Sequence, residues 1–129
     1  MSRDPYKLEA FRMADELAER VYQQTRSFPR EERFALQLQI RRAAVSVAAN
    51  LVEGSARRSE AEYLHFVSIA LGSAAETRYL IDLASRLGFI ENAGQLTQGY
   101  ERVARALSRL IASVSAAGQS PKPKAQSPS

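Results

Sequence analysis

Residues 39–54 read QIRRAAVSVAANLVEG, and this stretch decides the fold class. From Ala43 to Val52 the only polar residues are Ser46 and Asn50. At 3.6 residues per turn, Arg42, Ser46, Asn50 and Glu53 climb one face of a helix and leave every other direction apolar. A surface helix in a small bundle normally keeps a polar outer face, so this one must be covered on several sides. The surplus predicts burial against a second subunit as well as against the helix's own domain, with Ala48 and Ala49 as small residues facing the neighbour.

Three further periodic segments flank this helix. The first runs from about Pro5 to Thr25, with Phe11, Ala14, Leu17 or Ala18, Val21 and Thr25 on one stripe. Phe28 and Pro29 close the connection, because Pro is accepted at a first helical position; Glu31 and Glu32 then suit the positive end of the second helix. Gly54 is expected to stop that helix as a C′ residue. Ser59 and Glu62 form a capping box that opens the third helix, whose seam is Phe66, Ala70, Ser73, Thr77, Leu80, Ala84 and Leu87. Gly88 and Phe89 fit a Schellman ending. Asn92 with Gln95 starts the fourth helix, with a seam of Leu96, Tyr100, Val103, Leu107, Leu110 and Val114. These steps of four and three are those of coiled-coil packing. Four long helices joined by short loops imply an all-α, up-down-up-down antiparallel four-helix bundle over residues 1–117. From Gly118 the chain reads GQSPKPKAQSPS, a Pro/Ser/Lys composition that predicts a disordered tail over 118–129.

At 129 residues there is room for one core and not for two. The chain has no cysteine, which excludes disulfides and thiolate chemistry and fits a reducing cytoplasm. Its start, MSRDPYKLEAFRMADE, lacks the apolar run of a signal peptide, and no segment is long and apolar enough to span a membrane. Of the formal charge of +4, Lys122 and Lys124 in the tail supply two, so residues 1–117 carry +2. All of the basic residues there except Lys7 are Arg, the residue suited to bidentate pairing with carboxylate or phosphate.

Little here reads as catalysis. Glu62 and His65 make a Glu-x-x-His pair, but di-iron bundles need two such pairs and His65 is the sole histidine. No Gly-rich phosphate loop or nucleophile, base and acid set can be assembled, so neither an enzyme nor a cofactor is expected. The polar line of helix two is different. Ser46 and Asn50 need partners and should hydrogen-bond across helices, penalising wrong registers and wrong oligomers. Glu53 sits where the helix dipole disfavours it, so Arg57 or Arg58 should lie close. Arg41, Arg42, Arg57 and Arg58 form a basic cluster for phosphate, unless they neutralise Glu53, Glu60, Glu62 and Glu76; Glu76 is expected within a turn or two of Arg41.

The run from Gln39 to Glu76, with Arg42, Ala43, Ser46, Asn50, Glu53, Gly54, Phe66, Ile69, Ala70 and Ser73 as its points of likeness, resembles the bacterial four-helix bundle proteins encoded in intervening sequences of large-subunit ribosomal RNA genes. Phe28 and Pro29 ahead of it, and Leu87 to Ile90 behind it, are similar as well. The resemblance implies a ring-shaped homopentamer, as in the related accessory protein of diversity-generating retroelements, where a basic pentamer binds reverse transcriptase and RNA. Gln39, Ser46, Ala48, Ala49, Asn50, Glu53 and Glu76 are then the expected interface or polar network. The leading expectation is a non-enzymatic, cytoplasmic interaction scaffold that binds RNA or a ribonucleoprotein; the second is a protein-binding adaptor without nucleic-acid contact.

Overall fold

The computed structural model describes residues 3–118. Of the tail expected over 118–129, Gly118 is the last residue of a helix and the rest, with Lys122 and Lys124, lies outside the described residues. Four helices are present, α1 (Glu9–Gln24), α2 (Leu36–Ser55), α3 (Glu60–Arg86) and α4 (Gly94–Gly118), with 3-10 turns at Pro5–Lys7 and Arg30–Glu32, and no strand among the described residues. Each helix packs on two others: α1 on α2 and α4, and α3 on α2 and α4. The result is an all-α four-helix bundle. No helix among the described residues is long and apolar enough to cross a membrane.

The expected stripes make the core. Phe11, Ala14, Leu17, Val21 and Thr25 of the first segment are all buried, as are Leu96, Tyr100, Val103 and Leu107 of the last. Leu110 and Val114 are half-buried against the same core. On α3 the seam holds at Ala70, Ser73, Thr77, Leu80 and Ala84, but Tyr63, Val67, Ala74 and Ile81 widen it, while Leu87 is exposed. A helix touching two neighbours buries a broad arc, which a single seam underestimates.

Helix ends follow local chemistry. Ser59 Oγ accepts the Glu62 N–H at 3.1 Å and opens α3. Gly88, at φ 78, closes it in a Schellman motif: the Phe89 N–H donates to Ala84 O at 2.9 Å and the Gly88 N–H to Ser85 O at 3.0 Å. Four expected boundaries move: α1 begins at Glu9, after a 3-10 turn at Pro5–Lys7, rather than at Pro5. Pro29 starts only a 3-10 turn, and α2 begins at Leu36, where Glu32 Oε1 accepts the Leu36 N–H at 3.2 Å. Asn92 takes a left-handed φ of 54 before α4 instead of opening it, a conformation Asn tolerates better than most residues. Gly54 does not end α2, which continues through Ser55 to a right-handed Ala56. It is glycine because a Cβ there would lie 2.9 Å from Phe66 Cβ, so α2 and α3 approach too closely for any side chain.

Candidate functional site

Along the α2–α3 crevice, Ser46 Oγ lies 2.8 Å from Ser73 Oγ, a hydrogen bond that satisfies two hydroxyls across the helices. Asn50 does not reach across. Its Nδ2 donates to Ser46 O at 2.8 Å and to Ser46 Oγ at 2.9 Å, one turn back on its own helix. Glu53 finds its compensating charge in Arg57, one turn on, and the Arg57 guanidinium also lies 4.8 Å from the Phe66 ring centroid. Gln39, Arg42, Ser46 and Glu76 line an open groove of about 500 Å³ with Phe34 and Leu38. Glu76 thus lies at the level of Arg41 and Arg42, within the turn or two expected, and shares the groove with Arg42, because one residue of helix turns the side chain by about 100°.

The outward face of α2 is apolar apart from Arg42. Val45 and Val52 are 44% and 43% exposed. Ala49 between them is exposed, whereas Ala48 is half-buried against the chain's own core. Leu38, Arg42, Val45, Ala49, Val52 and Ala56 repeat at steps of four and three, the spacing of a helix-packing seam, with no other helix among the described residues packed on it. Beside it on α3, the exposed Ala61, His65, Ser68, Gly72, Ala75 and Tyr79 follow the same spacing with mostly small side chains. A Cβ added at Gly72 would meet nothing within 4 Å.

The four arginines chosen from sequence are not brought together. Arg57 is tied to Glu53, Arg58 is exposed after α2, and Arg42 lines the α2–α3 groove. Arg41 points the other way: Nε donates to Thr25 Oγ1 at 2.9 Å and Nη2 to Tyr22 O at 3.1 Å. With Gln37 Nε2, which donates to Thr25 O at 2.6 Å beside the Phe28 N–H at 3.2 Å, it adds donors to the carbonyls at the end of α1. Arg41 also lines a second groove, of about 330 Å³, together with Arg26, Arg30, Arg33, Phe28 and Pro29. Those three arginines escaped the sequence reading. The signal was their own spacing of four and three across Pro29, in a segment read only as a connection and a helix start.

Chemistry for catalysis does not assemble around the remaining candidates. Glu62 Oε1 accepts from Ser59 Oγ at 3.4 Å at the start of α3, and His65 is exposed with its ring edge-on to Phe66 at 5.4 Å. Among the described residues no group of three or more His, Cys, Asp or Glu could hold a metal ion. An open concavity of about 1080 Å³ where α1 ends and α4 begins is lined by amides, among them Gln23, Gln24, Asn92, Gln95 and Gln98. Two phenols are perturbed. Burial pushes Tyr63 up, partly offset by the Arg3 guanidinium 3.9 Å from its ring centroid. Burial alone pushes Tyr100 up, and its hydroxyl meets no partner among the described residues.

No curated protein matches the chain in sequence. A crystal structure of a Bacteroides thetaiotaomicron protein of unknown function, from the S23 ribosomal protein family, is similar at a TM-score of 0.73 and 24% identity. The match covers 80% of this chain and 95% of that one, and it shows a shared fold. The crevice, the outward α2 seam and the arginine groove all fall within residues 6–109, the span matched by the family model of the 23S rRNA-intervening sequence protein, and the chain belongs to that family.

Proposed function

We propose that the chain is a non-enzymatic, homo-oligomeric scaffold of the cytoplasm that engages RNA or a ribonucleoprotein. Each subunit is an up-down-up-down antiparallel bundle and five of them close a ring. The outward seam of α2 carries this reading: a row holding exposed Val45, Ala49 and Val52 has the spacing and chemistry of a helix interface. Alternating helix direction is supported by paired contacts. Gly54 sits against Phe66 while Ser46 bonds to Ser73, and Arg20 Nη2, late in α1, donates to Gln95 Oε1, early in α4, at 2.8 Å. The number five comes from the family resemblance. A ring would repeat each weak anion contact several times, so a modest subunit charge is compatible with a polyanionic partner.

Light scattering tests the assembly. The native chain at micromolar concentration should scatter as an oligomer, and Ala49→Arg should reduce it to monomers, because burying an unpaired charge at the contact costs roughly 3–5 kcal/mol. Ala48→Arg is a poorer probe, since that side chain also packs on its own core. A monomer mass for the native chain overturns the proposal.

A further inference from the structure

We propose that the groove between the end of α1 and the start of α2 binds single-stranded nucleic acid, with Arg26, Arg30 and Arg33 on its phosphates and Phe34 as the platform for a base. This rests on the reading of the chain as a nucleic-acid-binding scaffold and gives it a place. Four arginines line one concavity. Arg57, Arg78 and Arg86 each face a carboxylate, but among the described residues Arg26, Arg30, Arg33 and Arg41 form no ion pair. Acids in the same loop do not cancel them. Glu31 and Glu32 form no ion pair with them among the described residues, Glu32 accepts the Leu36 N–H, and two carboxylates stand against four guanidinium groups. Arg41 is fixed by its bonds to Thr25 and Tyr22 and lies 4.6 Å from the Tyr22 ring centroid, so one positive charge is held in place before any ligand arrives. A cluster of unpaired guanidinium groups in one groove suits phosphodiester oxygens.

Phe34 selects the kind of polyanion. It is 81% exposed, the most exposed large apolar side chain among the described residues, and the Arg33 guanidinium lies 5.6 Å from its ring centroid. Arg33 lines the arginine groove while its neighbour Phe34 lines the groove above α2 and α3, so a strand held by the arginines has an aromatic ring at its exit. Bases of a duplex are stacked away from such a ring; those of a single strand are free to stack on it. An acidic peptide would use the arginines and leave Phe34 without a role.

The test is fluorescence anisotropy of the full chain with labelled single-stranded RNA and DNA of about 16 nucleotides, a length within the usual single-strand site sizes. Affinity should fall with salt, and in R26Q/R30Q/R33Q the slope should flatten by about 2 log units per log salt, from three contacts at roughly 0.7 each. Phe34→Ala should weaken binding roughly tenfold or more, the loss of one base stack, with circular dichroism unchanged. Comparing the two oligonucleotides shows which sugar is accepted. A triple variant that binds with the native slope overturns the site while the nucleic-acid reading stands. Duplex competing as well as single strand, or an unaffected Phe34→Ala, overturns the single-strand assignment. If the native chain shifts neither oligonucleotide at about 50 mM salt, the underlying reading fails and the protein adaptor replaces it.

Discussion

Helices α1 and α4 are one-sided, and α2 and α3 are not. On α1 the outward positions include Arg12, Asp15, Glu16 and Glu19, and on α4 Gln98, Arg102, Arg105 and Arg109, all of them exposed. Water completes such helices. On α2 and α3 the outward positions include Val45, Ala49, Val52, Gly72 and Ala75, also exposed and offering water almost no hydrogen bonds, beside polar positions such as Arg42, Ser68 and Arg78. A core needs one apolar face per helix, and the exposed apolar row of α2 is surplus to that need. On the proposed reading, the division separates what the chain needs to fold from what it keeps for a partner.

The two halves also close differently, and glycine measures it. At Gly54 the obstacle to a Cβ is Phe66 Cβ at 2.9 Å, fixed to the α3 backbone; at Gly99 it is Leu17 Cδ2 at 2.6 Å, the free end of a side chain. Gly54→Ala must push α2 and α3 apart and should cost about 2–3 kcal/mol even after the gain in helix propensity. Gly99→Ala asks Leu17 only to change rotamer and should cost less than about 1 kcal/mol. Urea midpoints measure both. Equal losses would erase the contrast between a backbone-limited α2–α3 contact and an adjustable α1–α4 contact.

A smaller effect lies inside α4. Tyr100 is fully buried and its hydroxyl has no partner among the described residues, so it bears a desolvation cost with no return. Tyr100→Phe should therefore raise stability by about 1 kcal/mol at neutral pH, where most core substitutions lower it. The sign at high pH follows from the raised phenol. The unfolded chain releases this proton near the ordinary value of 10.0 while the folded chain keeps it. Stability complete below about pH 10 is thus lost as pH rises further, and the phenylalanine variant loses less. Thermal melts at neutral pH and above pH 10 decide both points; a destabilised variant would mean that the hydroxyl is satisfied after all.

Periodicity made the bundle legible, because the stripes of α1 and α4 are one-sided and a single seam describes them. It failed where a residue's reason was tertiary. Gly54 looks like a helix stop until Phe66 is placed against it, and nothing near Gly54 in sequence signals that approach. Asn50 looks like a cross-helix partner, but Ser46 of its own helix is nearer. Adjacent arginines mislead for a simple reason: Arg41 and Arg42 are neighbours in sequence and face different grooves, whereas Arg26, Arg30 and Arg33, spaced apart, share one. Capping signals fared better, since the chemistry of Ser59 with Glu62 and of Gly88 with Phe89 is complete within a few residues.

The least disturbing substitution sharpens where the second face ends. Gly72 is exposed, and a methyl group placed there meets nothing within 4 Å. In a bare helix, Gly72→Ala should add up to about 1 kcal/mol of stability from helix propensity alone. If α2 alone forms the subunit contact, the variant keeps the native mass by light scattering and gains that increment, and this is the outcome we expect from the row of Val45, Ala49 and Val52. A small-residue face that admits a neighbouring backbone would respond the other way, because one methyl group holds two helices apart where glycine let them touch. Reduced mass with undiminished helicity would therefore extend the interface across α3 through Ser68, Gly72 and Ala75, and leave α1 and α4 as the only helices finished by water.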